Sequence, residues 1–244
     1  MMKTSRLFIS ALAIVAGVLT ATPAINAQEN GNRDENGKVV RGSYETNRFG
    51  DNWFVGVGAG VNSWWGKGVD GKAGVATDIY VGKWFTPSIG ARVGWAGLKN
   101  KVVANDGFTA CDGTFNCNTI HAELLWNLSN AFSGYKETRT WNVIAYPSFA
   151  YMRARSNSEY GAGLGVINSF RVSNRVNINL DLSALATKST YPHVSPAPNT
   201  KLGVMPSAKV GVSVNLGRTN FKRHTSVVPA IVPVPFTEDQ YNAL

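Results

Sequence analysis

The sequence predicts an all-β protein: an eight-stranded, antiparallel, up-and-down transmembrane β-barrel. Three observations carry that expectation. Apolar residues alternate strictly with polar residues or glycine in eight segments between Asn52 and Leu216. Each segment is about ten residues long, enough to cross a bilayer at a tilt. Aromatic residues gather near both ends of the segments and bracket an aliphatic band.

Taken in order, the chain begins with an export signal. Lys3 and Arg6 supply the charge, Leu7 to Leu19 the apolar stretch, and the small-residue end before Gln28 a cleavage site. No later run reaches the ~18 apolar residues that a spanning helix needs. Without Lys3 and Arg6 the formal charge falls from +9 to +7, which favours anionic surfaces. Export argues against a nucleic-acid partner. It also places Cys111 and Cys117 in an oxidising compartment, where a local loop disulfide is favoured over two free thiols.

Strand one sets Trp53, Val55, Val57, Ala59 and Val61 against Phe54, Gly56, Gly58, Gly60 and Asn62. Strand two, about Val75 to Trp84, opposes Val75, Ile79 and Val81 to Asp78, Tyr80 and Gly82. After a tight turn, strand three opposes Ile89, Ala91, Val93 and Trp95 to Ser88, Gly90, Arg92 and Gly94. Strand four opposes Ile120, Ala122, Leu124 and Trp126 to His121, Glu123 and Asn127. Strand five, Trp141 to Met152, opposes Val143, Ala145, Phe149 and Tyr151 to Asn142, Tyr146 and Ser148, and strand six opposes Tyr160, Ala162, Leu164 and Val166 to Glu159, Gly161, Gly163 and Gly165. Strand seven is faultless: Val176, Ile178, Leu180, Leu182, Ala184 and Ala186 against Asn177, Asn179, Asp181 and Ser183. Strand eight opposes Ala208, Val210, Val212, Val214 and Leu216 to Ser207, Lys209, Gly211, Ser213 and Asn215.

Connections alternate too: 62–72, 97–117 and 187–201 are long, whereas 85–87 and 171–174 are short. Pro147 and Pro206 fall inside strands, so a bulge or widened pairing is expected at each. The segment 129–140 is longer than a short turn, and its pattern alone gives no reason.

A soluble barrel with an apolar interior would alternate in the same way. Aromatic placement separates the two. Trp53, Trp84, Phe85, Trp126, Trp141 and Phe170 lie at the short-turn end; Trp64, Trp65, Trp95, Tyr151 and Tyr160 lie at the long-loop end. Two such girdles belong to two membrane interfaces. The aliphatic rows therefore face lipid, and the charges face the lumen.

The block "DIYVGKWFTPSIGARVGW", Asp78 to Trp95, together with "NWFVGVGAGVN" and the eight-strand count, resembles the N-terminal barrel of the outer membrane protein A family. The resemblance covers roughly residues 45 to 217. It implies an integral barrel in the outer membrane of a Gram-negative bacterium, with periplasmic termini, followed by a linker and a globular domain that grips peptidoglycan. Residues 1–27 are then a signal peptide, 28–51 a polar periplasmic segment, 52–217 the barrel, and 218–244 a proline-rich periplasmic linker with the start of a helix. In that last stretch Thr237 and Gln240 form a capping box, Glu238 and Asp239 suit the first turn, and Phe236 with Tyr241 match a hydrophobic staple. No residue matches the family's peptidoglycan-binding Asp and Arg, so the C-terminal domain is expected to be absent and the chain a truncated version of a longer architecture.

Candidate functional residues lie on the lumen face: Asp78, Arg92, His121, Glu123, Asp181 and Lys209. Turn centres set Asp78 opposite or diagonal to Arg92 and Asp181 near Lys209, with Glu123 reaching one of the two cations. Buried charges need such partners, because an unpaired one costs several kcal/mol. A structural plug is the leading reading and a small diffusion pore its alternative, since eight strands enclose little more than their own side chains. Catalysis is not expected. His121 and Glu123 share a face, but no serine is placed as a nucleophile, and His193 and His224 fall in a loop and the linker. No phosphate loop or metal motif appears, so no cofactor is expected.

Lys67, Lys72, Lys99, Lys101, Arg153, Arg155, Lys188 and Lys201 crowd the long-loop end. They suit lipopolysaccharide phosphates or another acidic loop ligand, which makes an adhesin or receptor a third reading. The expected partners are thus the lipid bilayer and lipopolysaccharide, with peptidoglycan reached only through the missing domain. The expected role is envelope integrity. Nothing in the sequence sets the oligomeric state.

Overall fold

The computed structural model describes residues 49–66, 69–104, 113–154, 157–187 and 202–221. The expected signal peptide, most of the polar segment before the barrel, and the linker beyond residue 221 lie outside them.

Eight strands form a closed antiparallel barrel in chain order. They are β1 (Trp53–Asn62), β2 (Val69–Trp84), β3 (Ile89–Ala104), β4 (Gly113–Asn127), β5 (Trp141–Ala154), β6 (Asn157–Arg171), β7 (Val176–Thr187) and β8 (Gly203–Leu216). The first strand pairs with the last, Trp53 opposite Leu216 and Asn62 opposite Ser207, so no edge is left to template aggregation. Closure also satisfies the ladder, which a bilayer without water demands of any spanning sheet.

Alternation decides what faces where. Val57, Ile79, Val93, Ile120, Leu124, Leu164 and Val210 all point outward and are more than half exposed, with Ile120 at 61%. A soluble protein would not present so continuous an apolar band, so the solvent for this face is lipid.

Two long connections are shorter than the pattern suggests. β2 and β3 each run for 16 residues and β4 for 15, so strand pairing continues into the expected 62–72 and 97–117 loops. Above the membrane neither face meets lipid, so the ladder persists without a hydrophobic period to advertise it. A register shift in the β2–β3 ladder lies there as well, between Lys72 and Val75.

The prolines keep register. Pro147 stays opposite Leu164, but the β4–β5 ladder skips Leu124 and Leu125, resuming at Trp126 opposite Ala145. The missing donor therefore opens a gap rather than a bulge. Pro206 lies where the β1 ladder ends, and its carbonyl accepts from Ser63 N at 3.0 Å.

The overlong 129–140 turn contains a short helix, α1 (Leu128–Ser133). Asn127 is its N-cap, the side chain accepting from Asn130 N at 3.0 Å. The Ser129 hydroxyl accepts from Val143 N at 2.9 Å and ties the helix to β5. Gly134 ends it at φ 79°, and Arg139 Nη2 donates to the Gly134 carbonyl at 2.6 Å.

Candidate functional site

The lumen is filled in three tiers. At the long-loop end Trp64 is fully buried, packed in a cluster with Ala76, Leu98, Cys117, Met152 and Met205. It arrives there because the chain beyond β1 stays paired to β8, Trp65 bridging Val204 in both directions at 2.8 Å. Trp64 keeps the inward parity of Asn62, and Gly66 and Gly203 leave room for its ring. This corrects its expected place in the outer girdle.

The middle tier holds all six lumen charges. Arg92 pairs with Glu123 through Nε and with Asp181 through Nη2 at 2.6 Å. Lys209 Nζ reaches Asp78 Oδ2 at 2.6 Å. His121 stands between the two groups, Nε2 2.9 Å from Asp78 Oδ1 and Nδ1 3.1 Å from Glu123 Oε1, the latter at ion-pair distance without hydrogen-bond alignment. The order Lys209, Asp78, His121, Glu123, Arg92, Asp181 is a single chain across the lumen. With His121 protonated it alternates in sign throughout, the arrangement that makes buried charge tolerable.

The pairing differs from the expected one. Asp78 does not meet Arg92, because Asp78 lies opposite Ala96 and Arg92 opposite Gly82, four residues along the β2–β3 ladder. Asp181 does lie opposite Lys209, yet their side chains diverge. Arg92 claims Asp181 because two tyrosines hold its guanidinium in place: the Tyr80 and Tyr146 rings lie 4.7 and 5.0 Å from Cζ, and Tyr146 OH donates to Asp181 Oδ1 at 2.5 Å. Both tyrosines were legible as lumen residues, but their grip on Arg92 depends on a depth that turn centres do not set. Gly56 and Gly165 open the space for the two rings. Below Tyr80, Asn179 Nδ2 donates to Tyr80 OH at 3.2 Å and Ser213 Oγ at 2.9 Å.

The third tier, toward the short turns, is apolar: Phe54, Leu125, Ile144 and Ile167, with Trp84 packed against them. Trp84 is a second correction to the girdle. It shares the parity of Asp78, Tyr80 and Gly82 and lies 6.2 Å from the Phe54 ring, inside the barrel. Lys83 takes the outward position instead, donating to Phe49 O at 2.8 Å and to Asp51 O, with its ammonium 5.3 Å from the Trp53 ring. Phe85, Trp95, Trp126, Tyr160 and Phe170 are exposed on the outside. Trp141 stacks on Phe170 at 6.4 Å and Tyr151 packs on Tyr160 at 5.3 Å.

Two voids bounded by described residues lie on the short-turn side. One of about 50 Å³ lies among Phe54, Leu125 and Asn179. The other, about 130 Å³, forms a vestibule at the short-turn mouth, walled by asparagines and by Arg139. Sequence reading missed this vestibule, because its wall comes from six strands, α1 and both flanking segments.

Cys117 lies within β4, buried on the lumen side with Sγ 3.2 Å from Thr119 Oγ1, rather than in a loop. Cys111, His193, His224, Lys67, Arg155, Lys188 and Lys201 lie outside the described residues. Among the described residues no cluster of His, Cys, Asp or Glu could hold a metal ion.

A closed eight-stranded barrel, apolar outside and charged within, is an integral β-barrel of a Gram-negative outer membrane. The chain is 25% identical over 203 residues to "Outer membrane protein 41" of Porphyromonas gingivalis (strain ATCC BAA-308 / W83), a match covering 73% of this chain and 51% of the relative. It therefore spans about half the length of the curated relative it matches. Among solved structures, Neisserial surface protein A (NspA) superposes with a TM-score of 0.50 at 14% identity, over 67% of this chain and 97% of that one. That likeness shows the fold. OprG from Pseudomonas aeruginosa is similar at a TM-score of 0.41 and 9% identity, over 67% of this chain and 95% of that one. No family model matches the chain.

Proposed function

We propose that the barrel is a closed structural element of the outer membrane, supporting envelope integrity without conducting solutes or catalysing a reaction. The observation that carries this reading is the unbroken charge chain from Lys209 to Asp181, which fills the middle of the lumen between two packed tiers. An open pore needs a continuous wet path, and the charge chain with the packed tiers on either side of it occupies that path.

The resemblance to the outer membrane protein A family adds periplasmic attachment to peptidoglycan through a further domain. The resemblance rests on the block from Asp78 to Trp95, the stretch "NWFVGVGAGVN" and the eight-strand count, and the proline-rich stretch after the barrel is similar to the family's linker. Lipopolysaccharide is the natural neighbour of a cationic long-loop end. Arg153, exposed at the end of β5, is one of its charges.

Planar-bilayer recording of the purified protein tests the plug. The expected trace is baseline, with at most rare brief openings. Large, steady conductance would replace the structural reading with the diffusion pore. Co-sedimentation of the full-length protein with peptidoglycan sacculi tests attachment separately: pelleting with the sacculi is the expected result, and protein left in the supernatant would remove peptidoglycan from the reading.

A further inference from the structure

We propose that the vestibule at the short-turn mouth is a binding site for a small carboxylate. Its volume is about 130 Å³, close to that of engineered cavities that admit a benzene-sized guest. It belongs to no part of the charge chain and makes no demand on the plug reading.

Arg139 carries the argument. The residue is 6% exposed and lines the vestibule. Its Nη2 caps the Gly134 carbonyl, but Nε has no hydrogen-bond partner, and no carboxylate among the described residues pairs with the guanidinium. Burial alone acts on it, pushing its pKa below the usual arginine range. A buried guanidinium with an unmade N–H is costly unless an anion completes it.

A second residue with a buried, unmade donor lines the same space. Asn52, 4% exposed, holds the left-handed φ of 60° at the start of β1, and its backbone is fixed by Arg218 O at 2.8 Å and Trp84 N at 3.0 Å. Its side-chain Nδ2 has no partner. Residues of one wall thus hold two unmade donors and, at Asn130 Oδ1, one unmade acceptor, the complement of a ligand that brings an anionic acceptor together with an N–H or O–H. Arg171 and Lys136 add positive charge to the rim against Glu137.

The rest of the wall sets the ligand class. Asn142, Asn177 and Asn215 bring amides to the wall, groups that both donate and accept, whereas Asn127 is engaged at both ends, accepting from Asn130 N and donating to Asn142 Oδ1. Such a wall suits a carboxylate that also bears an amide or hydroxyl group, and it offers little to a purely apolar acid. The site opens at the end where Thr219 and Phe221 leave the barrel, Phe221 N donating to Tyr135 OH at 3.2 Å.

N-acetylglycine and its neutral amide, N-acetylglycinamide, are suitable probes, titrated into the full chain in detergent micelles and followed by calorimetry and by the Trp84 indole resonance. The acid should bind saturably in the millimolar range and at least about tenfold more tightly than the amide. Arg139→Gln should remove that preference. Asn52→Gly, which keeps the left-handed backbone, should weaken the acid by about threefold to tenfold while leaving the barrel folded. Equal affinity for acid and amide would overturn the proposal, as would acid binding unaffected by Arg139→Gln or the absence of saturable binding. Inorganic phosphate that binds more tightly than the acid would overturn the carboxylate assignment. All readouts come from the micellar protein, so they stand or fall independently of conductance.

Discussion

Lys209 stands directly opposite Asp181 in the β7–β8 ladder, yet its ammonium crosses β1 and ends 2.6 Å from Asp78. The crossing is possible because β1 presents glycine to the lumen: Gly60 lies opposite Lys209 and Gly58 opposite Asp78. Cross-strand register locates a side chain's base, and the empty floor beside it decides where the charge goes.

This crossing defines a mutant cycle. Lys209→Met should cost about 3 kcal/mol or more, because it leaves Asp78 with His121 as its remaining cationic partner. Adding Asp78→Asn should restore much of that loss. Adding Asp181→Leu instead should not, because Asp181 is held by Arg92 and Tyr146. Urea midpoints in detergent check the cycle, and rescue by the Asp181 change would return the pairing to register partners.

The two β1 glycines should respond differently to one added methyl. At Gly58 a Cβ meets only ordinary van der Waals neighbours, Asp78 Cβ at 3.8 Å among them, so Gly58→Ala should change stability by about 0.5 kcal/mol or less. At Gly60 the methyl would fall within the backbone of Ala208 and Lys209, so Gly60→Ala should cost about 1–3 kcal/mol. Similar unfolding of the two variants would mean that the β1–β8 approach is looser than described.

Adjacent residues on β7 test the inside and the outside. Leu180→Arg places a charge toward lipid near mid-strand and should cost about 2–4 kcal/mol. Leu180→Met should be nearly neutral. Asn179→Ala should cost about 1–2 kcal/mol for a different reason, leaving Tyr80 OH and Ser213 without their shared donor. Unfolding in liposomes and in detergent separates the cases, because only the Leu180→Arg penalty depends on the thickness of the apolar phase.

The architecture was legible because lipid imposes a period of two wherever a strand crosses it. Val57 and Ile79 announce the membrane face by their spacing alone. The pattern fades where lipid ends, so the upper parts of β2 and β3 and the inward turn of Trp64 were missed. Trp64 was recoverable in principle, being two residues beyond the inward Asn62. Trp84 went astray because aromatic character was weighed above parity. The six lumen charges were legible as a set, but their pairing was not. Pairing depends on ladder offsets of a few residues and on which neighbours are glycine, and neither is encoded in a single strand.

Trp64 closes the long-loop end, and its loss should separate stability from conductance. Trp64→Ala empties the centre of a cluster that includes Leu98, Met152 and Met205, and should cost about 3–5 kcal/mol. Trp64→Phe should cost less, because it retains most of the ring and removes an indole N–H that has no partner. Neither variant should conduct, since the charge chain and the cluster around Leu125 and Ile144 still block the lumen below. Planar-bilayer recording of Trp64→Ala beside its urea midpoint checks both halves. A steady current in that single variant would make Trp64 the gate of a pore whose lower tiers already pass ions.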